Sequence, residues 1–174
     1  DAGKLENIPE EDRESLFKDV GYGALKYFLL KVDPKKSMMF DPAASIDFIG
    51  NTGPYIQFNY VRARSVLRNA GIEDVASLLP ISPVHLDDTE RSLLMSALSL
   101  PGIIEEAAHS YDPSLVANLC YDITKSYSSW YQNHPILNEE DDQVRTARLA
   151  LCALSSSAVK IGMSLLGVSM PEKM

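Results

Sequence analysis

GNTGPYIQFNYVRARSVLRNAG, residues 50–71, carries a helix start, a helix stop and three differently furnished faces in one segment. Asn51 or Thr52 caps the N-terminus, and Pro54 suits the first turn, where a missing N–H costs nothing. Gly71 suits the position just past the end. A helix over residues 53–70 follows. At about 100° per residue, Ile56, Tyr60, Ala63 and Leu67 fall on one stripe, the ordinary core-facing pattern. Tyr55, Phe58, Arg62 and Val66 fall on a second stripe roughly a quarter-turn away, and Gln57, Arg64 and Arg68 on a third. A purely structural helix has no need of the second.

Upstream, residues 9–32 read as a helix, with Leu16, Phe17, Val20, Ala24, Tyr27 and Phe28 at helical spacing around Gly21-Tyr22-Gly23. The two glycines predict a bend or a close helix contact. Residues 32–51 hold Pro34, Pro42 and the short apolar run Met38-Met39-Phe40, a connector with one extended piece and one helical turn.

Downstream, residues 72–83 form a loop or short turn. Asp87 or Asp88 then caps a helix to about residue 100, with Asp87 and Glu90 at capping-box spacing, and Pro101 ends it or starts a short successor. Asp112-Pro113 marks the start of another helix, to about residue 132, with Val116, Cys120, Ile123 and Tyr127 in a narrow arc and Trp130 and Tyr131 on its flanks. The last helix spans about 138–166 on the stripe Ala147, Leu151, Leu154, Ala158, Ile161 and Leu165, with Gly167 as its stop. Nothing alternates at period two long enough to make a sheet, and no fixed-length repeat occurs. The expected architecture is all-α: a helical bundle of about four to six helices over residues 50–174, preceded by an N-terminal helical appendage and connector over residues 1–49.

The 174 residues suffice for one sizeable core plus an appendage. A charged fraction of 23%, a hydrophobic fraction of 45% and the absence of an 18-residue apolar run predict a soluble chain without a membrane partner. The opening DAGKLENIPEEDRE is polar where a signal peptide would be apolar. Cys120 and Cys152 fall on apolar stripes without partners at metal-ligand spacing, the pattern of reduced core thiols in a cytoplasmic protein. The net charge of −8 argues against nucleic acid as an average. Much of the acid, however, sits at helix starts in residues 10–14 and 139–142, which leaves Arg62, Arg64 and Arg68 locally basic.

No catalytic constellation emerges. His85, His109 and His134 lie apart in loops or at helix ends, and the Lys35-Lys36-Ser37-Met38 turn lacks the glycines of a phosphate loop. The second stripe of the 53–70 helix is different. Rings stack on unpaired bases while an arginine between them meets a phosphate or base edge. The same residues also suit a plain helix contact, with Tyr55 and Phe58 buried and Arg62 snorkelling or paired with a carboxylate. Trp130 and Tyr131 face the same choice, and SMPEKM at residues 169–174 has the composition of a frayed tail.

Longer motifs narrow the choice. Val20-Gly21-Tyr22-Gly23-Ala24 with Lys26-Tyr27, then Phe40-Asp41, then the run from Gly50 through Arg62, resemble the arginyl-tRNA synthetase family. That family shows VGxGAxKY, F-D and GNTGxYxQYAHxR in the same order. RTARLAL at residues 145–151 resembles the arginine-leucine signature after which the family's helical anticodon-binding domain is named. The Trp130-Tyr131 pair, Leu165-Leu166-Gly167-Val168 and Pro171-Glu172-Lys173-Met174 also have family counterparts. The resemblance covers essentially the whole chain.

It implies the C-terminal region of such an enzyme, with residues 1–49 belonging to the synthetase body and residues 50–174 forming the anticodon-binding domain. The HIGH-type and KMSKS-type motifs of the catalytic domain do not occur in the chain, so no catalytic residue and no cofactor or metal site is expected in it. ATP and arginine are then ligands of the parent arginine-tRNA ligase only. By the same resemblance Tyr55, Phe58, Arg62, Tyr131 and Met174 contact the anticodon loop of tRNA(Arg), and the chain's other partner is its own catalytic domain, in a monomeric protein. Two positions depart from the pattern: Phe58 stands where tyrosine is common, and Tyr60 where histidine is common. The competing expectation is a non-catalytic protein-interaction bundle whose aromatic stripe is a hot spot.

Overall fold

In the computed structural model, residues 10–81 and 84–174 are described. The polar opening residues, the helix start expected at Pro9, and Pro83 lie outside them. Seven helices follow in order: α1 (Glu10–Leu30), α2 (Pro42–Ser45), α3 (Gly53–Asn69), α4 (Asp88–Leu98), α5 (Leu100–Ser110), α6 (Ser114–Asn133) and α7 (Asp142–Leu165), with a 3-10 turn at Val75–Leu78 between α3 and α4. No strand occurs among the described residues.

The helix ends follow local chemistry. Thr52 caps α3 by accepting from the Tyr55 N–H, with Pro54 in the first turn. Past the other end, Gly71 at φ 71° lets the Ile72 N–H reach back to Leu67 O and the Gly71 N–H to Arg68 O. Gly167, at φ 69°, closes α7 in the same way through Val168 and Met163. Asp87 and Glu90 form the expected capping box on α4. Two starts differ from expectation. α7 begins only at Asp142, because Asp141 takes the cap, and α6 begins at Ser114, with Asp112 accepting from its N–H and hydroxyl.

α7 is the central rod. On length and composition alone it is apolar enough to cross a membrane, which corrects the expectation that no such run exists. In the fold that apolarity faces α3, α4 and α6. Because neighbours surround it, its buried side is broader than one stripe and is rotated from the expected one. Leu151, Cys152, Val159, Gly162 and Met163 are buried, while Ile161 and Leu165 are exposed. Both cysteines are free and buried, and burial pushes the Cys120 thiol up to about 12 and the Cys152 thiol up to about 11.

α1 runs through Gly21 and Gly23 without interruption, and of the two expectations for the glycines the close contact holds at Gly23, whereas Gly21 has nothing near it. A Cβ on Gly53 would lie 2.7 Å from Gly23 O and 3.2 Å from the Ala24 N. Around this crossing the Tyr27 hydroxyl, fully buried, donates to Ala117 O at 3.0 Å, and Lys31 donates to Asn51 O at 2.7 Å. Of the expected α1 stripe, Ala24 and Tyr27 are core, whereas Phe17 is exposed and joins Tyr22, Leu25 and Leu29 on an outer apolar face.

Gly53→Ala measures the crossing. Alanine favours a helix over glycine by about 1 kcal/mol, so stabilisation is expected if the site is open. Here backbone meets backbone with nothing to rotate away, and a loss of about 1–3 kcal/mol is expected from overpacking. Urea unfolding reads the sign, and an unchanged or raised midpoint would disprove the tight contact.

Candidate nucleic-acid interface

α3 buries Ile56, Tyr60, Ala63 and Leu67, the expected core stripe, and with them Val66 from the second stripe. This packing turns Tyr55, Phe58 and Arg62, all half-buried, toward the seam with α6. The Arg62 guanidinium lies 5.0 Å from the centroid of the Phe58 ring and 5.4 Å from that of Tyr131. Tyr131 in turn stacks on Tyr127 at 6.0 Å and 27°. On the other side Phe48 from the connector meets Phe58 edge-on at 6.5 Å. Asn59, buried, donates to Tyr55 O and accepts from Arg62 Nη1 at 3.2 Å, which limits where the guanidinium swings.

Tyr55 is not part of this group. It sits two turns earlier on α3 and meets Tyr121 of α6 at 5.9 Å. The pairs Tyr55–Tyr121 and Arg62–Tyr131 both advance along their helices, so α3 and α6 run in the same sense with rings along their seam. Trp130 and Tyr131 divide the roles left open for them. Trp130 is in the core, and Tyr131 stands at the edge, where Arg62 meets it.

The charge of Arg62 is the telling feature. Arg64 pairs with Glu172, Arg145 with Asp142, and Arg148 with Glu90 and Glu139. Arg62 pairs with no carboxylate among the described residues and is held instead by ring faces and one amide oxygen. A cation held on rings remains attractive to an incoming anion, since ring quadrupoles do not neutralise it. Burial pushes the Tyr127 phenol well above its usual range, with Cys152 adding to the shift and Arg62 opposing it, so behind the seam Tyr127 is a neutral ring.

The third stripe of α3 has a different use. Gln57 is fully buried, and its Nε2 donates to Asp19 O at 3.2 Å and Ser169 O at 2.8 Å. Arg64 and Arg68 reach Glu172, so the tail expected to fray lies along α3. Arg62 and Arg64 project about 200° apart, which puts the tail on the far side of the helix from Tyr131. Met174, half-buried, lies two residues beyond Glu172, and no described contact joins it to the four other expected site residues. Phe48 and Tyr121 were not singled out from sequence, and Asn59 and Glu172 were named only as members of matching motifs, without a role. For Glu172 the signal was present, because an unassigned cationic stripe calls for a carboxylate.

Two other features were not expected from the sequence as sites. Donor atoms of Asp87, Glu90 and His134 lie within 4.8 Å of one another. Each is already engaged: Asp87 caps α4, Glu90 takes the Arg148 Nε at 2.8 Å, and His134 lies 2.6 Å from Asp87 and 3.0 Å from Trp130 O. A cavity of about 490 Å³ is lined by aliphatic side chains that include Leu78, Ile81, Leu86, Leu94 and Leu154, and by Ser157.

Together these features define an all-helical bundle with an aromatic and cationic seam on one side of its third helix. A family model, the DALR anticodon binding domain, matches residues 56–174. The chain belongs to that family. It is 43% identical over its whole length to the arginine–tRNA ligase of Flavobacterium psychrophilum and 42% identical to that of Porphyromonas gingivalis. Among solved structures, Thermus thermophilus arginyl-tRNA synthetase matches 98% of the chain with a TM-score of 0.85 at 28% identity, and the Plasmodium falciparum enzyme matches 98% with 0.81 at 28%. The chain spans 28–29% of the length of these relatives.

Proposed function

We propose that the chain is the anticodon-recognising C-terminal region of an arginyl-tRNA synthetase, a cytoplasmic enzyme whose remaining part joins arginine to tRNA(Arg) with ATP. The chain itself takes no cofactor and performs no aminoacylation. Its part is to bind the unpaired bases of the anticodon loop on the α3–α6 seam. The observation that supports this most directly is Arg62, a cation held between Phe58 and Tyr131 without a carboxylate among the described residues, in a chain of net charge −8.

Splayed bases stack on ring faces, and the arginine satisfies a phosphate or base edge. Tyr55, two turns along, offers a second stacking position, and Met174 an apolar contact. Phe58 lacks the hydroxyl common at its position and keeps the ring face. The exposed apolar face of α1, with Phe17, Tyr22 and Leu29, is where the catalytic domain of the same chain packs, in a monomeric enzyme.

Titration of a labelled tRNA(Arg) anticodon stem-loop tests the reading. Arg62→Ala and Tyr131→Ala are each expected to weaken binding by about 1–3 kcal/mol, roughly 5- to 150-fold, with helical circular dichroism unchanged. Binding is also expected to fall steeply with salt, as phosphate contacts release counterions. Unchanged affinity in both variants sinks the proposal. If the seam instead captures another protein, affinity will barely respond to salt.

A further inference from the structure

Arg62 is held from below by a side chain that is itself out of water. Asn59, one turn earlier on α3, is 2% exposed. Its Nδ2 donates to Tyr55 O at 2.9 Å, and its Oδ1 accepts from Arg62 Nη1 at 3.2 Å. The two bonds fix each other, because a carbonyl and a guanidinium are served together only by an amide with its nitrogen toward Tyr55 and its oxygen toward Arg62. With the Phe58 and Tyr131 rings at 5.0 and 5.4 Å, the amide closes a third side around the guanidinium. An amide oxygen is a neutral acceptor. It holds the group and leaves the charge in place, whereas Arg64, Arg145 and Arg148 each meet a carboxylate. Among the described residues Nη1 is the only nitrogen of Arg62 that donates a hydrogen bond, so Nε and Nη2 remain for a partner with two acceptors.

We propose that Asn59 is a positioning residue for RNA binding: its amide oxygen aims the Arg62 guanidinium, with its charge intact, so that the rest of the fork meets two acceptors of the single-stranded loop, either the paired oxygens of a phosphate or the O6 and N7 of a guanine. The proposal rests on the reading of the seam as an RNA-binding surface. Arginine is long and rich in rotamers, and a side chain ordered before binding loses less freedom on contact. An aspartate at this position would order the guanidinium as well but would neutralise it. An alanine would leave the charge without the aim.

The two substitutions separate aim from charge. In stem-loop titrations with the 174-residue chain, Asn59→Ala is expected to weaken binding about two- to tenfold, the cost of ordering one long side chain. Asn59→Asp is expected to weaken it at least as much. Asn59→Leu, close in shape to asparagine but without its bonds, repeats the alanine test with the packing kept. The decisive readout is coupling to Arg62. In an Arg62→Ala background, Asn59→Ala is expected to change affinity by less than about twofold, because the group it aims is gone. A residue that merely supports α3 would cost the same in either background. The source of the acceptors is read separately. If they are phosphate oxygens, Arg62→Ala lowers the log–log salt slope by about one. If they belong to a guanine, loops carrying deazaguanine, which lacks N7, bind the wild type more weakly and the Arg62→Ala variant no differently. Wild-type affinity in Asn59→Ala and Asn59→Leu, tighter binding in Asn59→Asp, or equal losses with and without Arg62 would overturn the proposal. Wild-type protein that fails to bind, or an Arg62→Ala variant that binds as wild type, would instead overturn the reading of the seam. Urea midpoints of the single variants exclude global unfolding as the cause.

Discussion

Replacing Arg148 with methionine is expected to lower the unfolding free energy by about 3–5 kcal/mol, the range for breaking a buried ion pair on one side. Arg148 holds three groups together where α4 and α7 meet the connector between α6 and α7. Its Nε donates to Glu90 at 2.8 Å, and its Nη1 donates to Glu139 and to Pro135 O at 2.9 Å. The Glu90 side chain is only 5% exposed, and Arg148 only 14%. Without the guanidinium, Glu90 is a carboxylate out of water with one backbone N–H, that of Asp87, to satisfy it. The loss comes from this stranded charge more than from the value of the pair itself. The double variant Arg148→Met, Glu90→Gln keeps a capping side chain on α4 without the charge, and is expected to recover more than half of the loss. Urea unfolding of both variants decides the matter. A single-variant loss below about 1 kcal/mol would mean that the pair behaves as a surface salt bridge.

Trp130→Ala is the second large effect. Trp130 is 1% exposed and heads the fully buried side chains by volume. It packs against Tyr127 at 5.8 Å and stacks on His134 at 5.9 Å. Truncation to alanine is expected to cost about 3–5 kcal/mol. The indole N–H has no hydrogen-bond partner among the described residues, so Trp130→Phe gives up no such bond and retains most of the packing. Its loss is expected to be well under half that of the alanine variant. Equal losses in the two variants, read from chemical denaturation, would show that a phenyl ring replaces none of what the indole contributes. Because Tyr127 and Tyr131 lie on the same turns of α6, the alanine variant is also expected to loosen the seam that faces Arg62.

The helix ends were legible because their causes are local. Thr52, Gly71, the Asp87 and Glu90 pair and Gly167 each act on backbone groups within a few residues. The α3 core stripe was legible for the same reason, since one helical repeat decides it. The phase of α7 was not, because neighbours on several sides make its burial broader than any single stripe. Gln57, Arg64 and Arg68 were legible as a face but not as a function, since their partners Ser169 and Glu172 lie more than 100 residues away. The Phe58 and Arg62 part of the seam could be seen as a surplus of rings and charge, but its pairing with Tyr131 depends on which helices lie side by side. Tyr121 entered the seam through the same pairing, and Phe48 through the path of the connector beside α3, and no repeat within one helix encodes either.

At the crossing of α1 and α3 no side chain intervenes between Gly23 and Gly53, so peptide planes bear directly on each other. Interdigitated side chains act as a cushion, because rotamers give way before backbones do. Bare backbone has no such compliance. The crossing therefore sets a floor on the distance between α1 and α3 that no change of rotamer can lower.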